Sequence, residues 1–174
     1  MRTVLSTTRK VLLSLGFGLL FLCGAYCQDK NVEHGRAMMS ERETWAVSLE
    51  VNSSAQGVLA IVTFSNNSSA PAALYKWNAC FDNRIHNDVF EIMLESGSVS
   101  YTGRLVKRGE PKADDFLTVE PGQSVSFKVD LKAAYGFPAG KHRYRIRYSA
   151  LNPYLGRPGF DALKSNPTSF DYSN

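Results

Sequence analysis

From residue 45 onward, apolar and polar side chains alternate in several stretches. Trp45, Val47, Leu49 and Val51 are separated by Ala46, Ser48 and Glu50, and Val125, Phe127, Val129 and Leu131 by Ser126, Lys128 and Asp130. His142, Tyr144, Ile146 and Tyr148 are separated by Arg143, Arg145 and Arg147. A period of two sends successive side chains to opposite faces of an extended chain, so each stretch predicts a strand with one buried face. Less regular apolar runs at 57–64, 73–77, 89–94, 99–102 and 116–119 predict further short strands. Turn signals separate them: Ser65 to Pro71, Glu95-Ser-Gly-Ser98 and Glu120-Pro-Gly-Gln123. Proline presets one turn dihedral and glycine accepts a positive φ. No long segment has helical period, apart from one turn expected near 131–135. Short strands at this spacing predict an all-β fold, an antiparallel β-sandwich of immunoglobulin-like type with about seven strands.

Residues 1–27 read differently. Arg9 and Lys10 precede an apolar run from Val11 to Cys23, followed by Gly24 and Ala25. Thirteen residues fall short of the roughly 20 that span a bilayer, so a cleaved signal peptide is expected rather than a membrane span. Cleavage before Gln28 would leave Cys80 as the lone cysteine, whereas cleavage before Tyr26 would keep Cys27 as a possible disulfide partner for it. Neither Cys23 nor Cys27 has the preceding residues of a good bacterial lipoprotein signal. Residues 28–43 are polar and aperiodic and are expected to form a flexible lead-in, leaving 44–174 for the sandwich. In a eukaryotic secretory pathway Asn52, Asn66 and Asn67, each in an Asn-x-Ser motif, would be candidate glycan acceptors.

Composition changes this picture little: 44% hydrophobic and 21% charged residues are ordinary for a globular domain. The formal charge of +4 looks basic, but Arg2, Arg9 and Lys10 lie in a leader that holds no acid. Without those three, 17 basic residues face 16 acidic ones, which removes the net-charge argument for a nucleic-acid partner.

Candidate chemistry is sparse. There is no His-Glu-x-x-His, no Gly-x-Ser-x-Gly and no phosphate-cradling glycine loop. His86 with Asp82 and Asp88 could at most form a weak metal site, and a solvated loop is the better reading. Cys80 has no legible base. No catalytic residue, metal or cofactor is therefore expected. One strand face carries Lys141, Arg143, Arg145 and Arg147, a basic stripe that could meet an acidic partner or simply pair with acids on neighbouring strands. Lys107-Arg108 could be a dibasic processing site, but an exposed loop is the reading kept.

A set of motifs carries a resemblance: Lys76-Trp-Asn78, Asp88-Val-Phe-Glu91, Tyr101-Thr-Gly-Arg-Leu-Val-Lys-Arg-Gly109, Pro111-Lys-Ala-Asp-Asp-Phe116, and Val119-Glu-Pro-Gly-Gln-Ser124 with Val129-Asp-Leu131 and Ala134-Tyr135. Together they resemble the non-catalytic N-terminal β-sandwich of the deuterolysin and peptidyl-Lys metalloendopeptidases, the aspzincins. The 101–109 run is the specific part. Where that family has Asn-Thr-Pro after the tryptophan, this chain has Asn78-Ala79-Cys80. Thr168, Phe170 and Tyr172 resemble the last strand of that sandwich, and the zinc domain that follows it in the proteases has no counterpart before Asn174. The resemblance therefore implies a stand-alone accessory sandwich without the catalytic half; together with the leader it gives the expectation of a secreted, non-enzymatic module that binds a protein, either a protease that it modulates or an extracellular matrix component. The alternatives are a structural role in an extracellular or mineralised matrix and a truncated protease product. Trp77, Tyr101, Arg104, Lys107 and Arg108 are the candidate binding residues, with core packing the competing reading for the two aromatics.

Overall fold

The computed structural model describes residues 43–174; the expected signal peptide at 1–27, with Cys23 and Cys27, and residues 28–42 of the expected lead-in lie outside the described residues. Ten strands follow in order: β1 (Trp45–Ser54), β2 (Gly57–Asn66), β3 (Ala72–Tyr75), β4 (Phe90–Leu94), β5 (Gly97–Ser98), β6 (Phe116–Val119), β7 (Ser124–Asp130), β8 (Lys141–Pro153), β9 (Phe160–Lys164) and β10 (Thr168–Ser173). They form an all-β sandwich of antiparallel sheets. One sheet is β1-β2-β7, the second runs β10-β8-β4-β5 with β9 on the far half of β8, and β3 pairs with β6. The only helical elements among the described residues are 3-10 turns at Phe81–Asn83, Ala113–Asp115 and Leu131–Ala133. None is long and apolar enough to cross a membrane.

The alternation dictates the layers. Trp45 is buried while Ala46, Ser48 and Glu50 face outward, and β8 buries Tyr144, Ile146 and Tyr148 while exposing Arg143 and Arg145. Central strand β2 buries Val58, Ala60, Val62 and Phe64 completely. Phe64 meets Tyr148 edge-on at 5.3 Å, joining the two sheets, and Tyr148 continues to Phe90 at 5.7 Å. A second aromatic group closes the other end, with Phe137 against Tyr144 and Tyr172. Each such edge-to-face pair contributes about 0.5–1.5 kcal/mol beyond the area it buries.

Two buried asparagines hold the irregular parts. Asn66 is 0% exposed; its amide nitrogen donates to the Ala70 and Val119 carbonyls, both at 2.8 Å, and its carbonyl accepts from the Ser68 N–H and hydroxyl. Asn152 accepts from the Tyr75 N–H at 2.7 Å and donates to the Ala73 carbonyl at 3.0 Å, tying β3 to β8 where no ladder joins them. The Glu120-Pro-Gly-Gln123 turn forms as its residues predict, with Gly122 at φ +70° and a 3.0 Å bond from the Gln123 N–H to the Glu120 carbonyl.

The sheets also meet at one edge. Val47 forms a parallel bridge with Ser165, and the Ser53 hydroxyl donates to the Asp171 carbonyl at 2.7 Å.

Two expectations need correction. Residues 99–102 are not a strand: β5 covers only 97–98, and Tyr101 makes a single bridge to Tyr135. β9 was not predicted, because only Leu163 of Phe160–Lys164 is buried and a lone inward residue leaves no alternation to read.

Candidate binding site

The 101–109 segment leaves the sheet as irregular backbone that is nevertheless well braced. The Thr102 and Gly103 N–H groups donate to the Ala134 carbonyl, at 2.8 and 3.2 Å. The Tyr101 ring packs edge-on against Tyr135 at 5.3 Å, and its hydroxyl donates to the Arg104 carbonyl at 3.0 Å. That ring lies over Gly103 so closely that a Cβ there would sit 2.5 Å from the Tyr101 hydroxyl oxygen, so any side chain at 103 must displace the ring. Tyr135 in turn donates its hydroxyl to Asp88 at 2.8 Å and accepts from the Phe90 N–H at 2.9 Å. Burial, the largest influence, and the Asp88 charge push the Tyr135 phenol well above its usual value.

Beyond Gly103 the side chains turn outward. Arg104, Leu105, Val106 and Lys107 are exposed, Leu105 to 76%. The chain then returns, and the Arg108 guanidinium carbon stacks 3.7 Å from the centre of the Trp77 ring. Trp77 is half-buried rather than a free contact residue. Its Nε1–H donates to Asp115 Oδ1 at 2.7 Å, and His86 packs edge-on to its ring at 5.1 Å. The Lys112 N–H donates to Asp115 Oδ2 at 2.9 Å. These two bonds, that from Lys112 foremost, hold the Asp115 carboxyl below its ordinary range, with Arg108 and Lys112 adding their charge. Of the five predicted binding residues, Tyr101, Trp77 and Arg108 are thus braces, while Arg104 and Lys107 are presented to solvent.

Sequence reasoning missed the facing wall, residues 80–86. Cys80, Asp82 and Asn83 all adopt left-handed backbone, with φ of 60°, 59° and 58°. Such conformations cost of order 1–3 kcal/mol each and persist only where surroundings impose them. Here Asn83 Oδ1 accepts from the Lys128 N–H of β7 at 3.1 Å, and His86 Nε2 bonds Asp82 Oδ1 at 2.9 Å. Cys80 is buried and forms no disulfide among the described residues, and burial pushes its thiol up to about 12. Asp88 is occupied by Tyr135, so it does not join His86 and Asp82; no cluster of three potential ligands occurs among the described residues.

Between these walls lies an open cleft of about 420 Å³. Arg84 and His86 line one side and Gly103, Arg104 and Val106 the other, over a floor that includes Val129 and Ala134.

The basic stripe occupies a separate surface, the outward face of β8. Arg147 pairs with Glu91 of β4 at 2.6 Å, and the hydrogen bond from Arg147 is the main cause of a Glu91 carboxyl below its ordinary range. Arg143 lies opposite Asp171 in register, Arg145 lies between Met93 and Ser169, and Lys141 lies opposite Ser173. Among the described residues, neither Arg143 nor Arg145 forms an ion pair.

The candidate glycan acceptors separate sharply. Asn52 and Asn67 are exposed. Asn66, by contrast, is fully buried and commits its amide nitrogen to two hydrogen bonds, one buried and one part-buried, leaving no room for a glycan in the folded chain.

No protein-family model matches the chain. It is similar to a protein of Aeromonas hydrophila described as "Extracellular protease", 27% identical over 124 residues. That alignment takes in 71% of this chain but 34% of the relative, so the chain corresponds to about a third of the protease's length.

Proposed function

We propose that this chain is a secreted, non-catalytic binding module of the aspzincin accessory-domain type, which acts on a protease or another extracellular protein by contact. The observation that carries the reading is the braced 101–109 segment. It lifts Arg104 and Lys107 clear of the fold while Tyr101, Gly103 and the Arg108–Trp77 stack hold its backbone in place. A braced contact surface loses little freedom on binding, which favours recognition. The similarity to part of an extracellular protease supports the choice of partner class and compartment.

The test uses Arg104→Ala combined with Lys107→Ala. Binding to an immobilised aspzincin-type metalloendopeptidase should fall by about tenfold or more, with the melting temperature unchanged. Equal loss of folding would assign both residues to structure. Zinc-dependent peptide hydrolysis by the pure chain would overturn the non-catalytic reading.

A second reading, a matrix component held by the β8 stripe, is favoured by Arg143 and Arg145, which form no ion pair among the described residues. It requires salt-sensitive retention on acidic polymers that disappears when both become glutamine.

A further inference from the structure

We propose that the cleft between residues 83–86 and 103–106 binds an acidic peptide segment, seating an apolar side chain on its floor and a carboxylate against Arg84 and Arg104. The inference rests on the binding-module reading above and names the ligand chemistry of that module.

Three features carry it. The first is size and lining: about 420 Å³ over Val129, Ala134, Ile85 and Val106 suits one or two side chains, within the usual range for ligand sites. The second is charge. Among the cleft's ionisable groups His86 is engaged by Asp82, and Asp130 keeps its negative charge while accepting the Lys132 N–H at 3.0 Å; against that one carboxylate stand Arg84 and Arg104, which form no ion pair among the described residues. Guanidinium groups beside an apolar floor match a carboxylate next to an apolar side chain, since each fork can donate two parallel hydrogen bonds to it.

The third is rigidity. One wall is held by Asn83 on the β7 backbone, and the other by the Tyr101 hydroxyl and the Ala134 carbonyl. Trp77 links the two, because the His86 ring of the first wall meets it at 5.1 Å and Arg108, two residues beyond the second, covers its face. The spacing between the walls is therefore set before any ligand arrives, and strain in the 80–83 loop is retained where it shapes one of them.

The test titrates the isotope-labelled secreted chain with three blocked peptides built around Leu-Asp, Leu-Asn, and a Leu with a free C-terminal carboxylate. Binding of either acidic peptide, with shifts at Gly103 and Ala134, supports the proposal, and the preferred one tells whether a side-chain or a terminal carboxylate is recognised. Arg84→Gln with Arg104→Gln should weaken that binding about tenfold without lowering the melting temperature. Ala133→Phe, which intrudes on the cleft while leaving both arginines, should weaken it as well. Equal binding of the Leu-Asn peptide, shifts confined to β8, or undiminished binding by the double glutamine variant would overturn it. If no peptide binds while Arg104→Ala with Lys107→Ala still abolishes protease capture, the cleft proposal falls and the module reading stands.

Discussion

The molecule carries two basic surfaces built in opposite ways. On β8, Lys141, Arg143, Arg145 and Arg147 sit at every second position of a regular strand, so the pleat alone spaces them, and cross-strand neighbours Glu91 and Asp171 face two of them. Around the cleft, Arg84, Arg104 and Arg108 come from irregular backbone that depends on left-handed residues, a glycine under a tyrosine ring and a tryptophan braced on three sides. A strand delivers a flat, robust row of charge; irregular segments deliver a concave and pre-shaped one. The first should survive substitution with little change, and the second should be easily damaged.

The comparison breaks most visibly at Trp77. Trp77→Ala removes a half-buried indole, its bond to Asp115 and the stack with Arg108 together, and should destabilise the fold by about 2–4 kcal/mol in chemical denaturation. Partner binding should fall further than the stability loss alone explains. Gly103→Ala follows: its Cβ cannot coexist with the Tyr101 ring as placed, so a loss of about 1–3 kcal/mol is expected, with amide shifts concentrated at 101–108. On the flat surface, Arg147→Gln should cost no more than about 1 kcal/mol, because the pair with Glu91 is about half exposed.

Acid sharpens the same contrast. Glu91 and Asp115 both have carboxyls depressed by folding, so the stability each contributes is fully present above its unfolded value near pH 4 and is lost as pH falls through its lower folded value. Arg147→Gln should remove most of the Glu91 share of that acid-side slope, leaving what Ser149 and Lys164 contribute. Asp115→Asn should remove the Asp115 share and leave a carbonyl oxygen that can still accept from Trp77. Denaturation midpoints measured from pH 6 to pH 2 would separate the two.

How much of this was legible in the sequence follows from where periodicity operates. β1, β7 and β8 could be read residue by residue because each buries one face of a long alternating run, and the Pro121-Gly122 turn because both residues have fixed backbone preferences. The 80–86 wall left no such mark: its left-handed positions are Cys80, Asp82 and Asn83 rather than glycines, and tertiary bonds hold them there. Arg84 was missed for the same reason, since its role depends on a wall that only the fold creates. Trp77 and Tyr101 stand out in the sequence as binding residues with core packing as the competing reading, and their place as braces depends on contacts distant in sequence. Asn66 is the most instructive case. An asparagine two residues before a serine is the pattern of a glycan acceptor and equally of a local turn in which the asparagine carbonyl takes the serine N–H; burial decides for the turn.

The edges of the three-stranded sheet bear on how this protein can meet others. β1 is met along one side by Ser165 and the end of β10, and on the other side the Lys128 N–H of β7 is taken by the Asn83 side chain. An incoming strand would meet Ser165 and β10 at one margin and the Asn83 side chain at the other, each of which interrupts the free edge at one or two positions. At this sheet, then, recognition falls to side chains more than to a lengthened ladder.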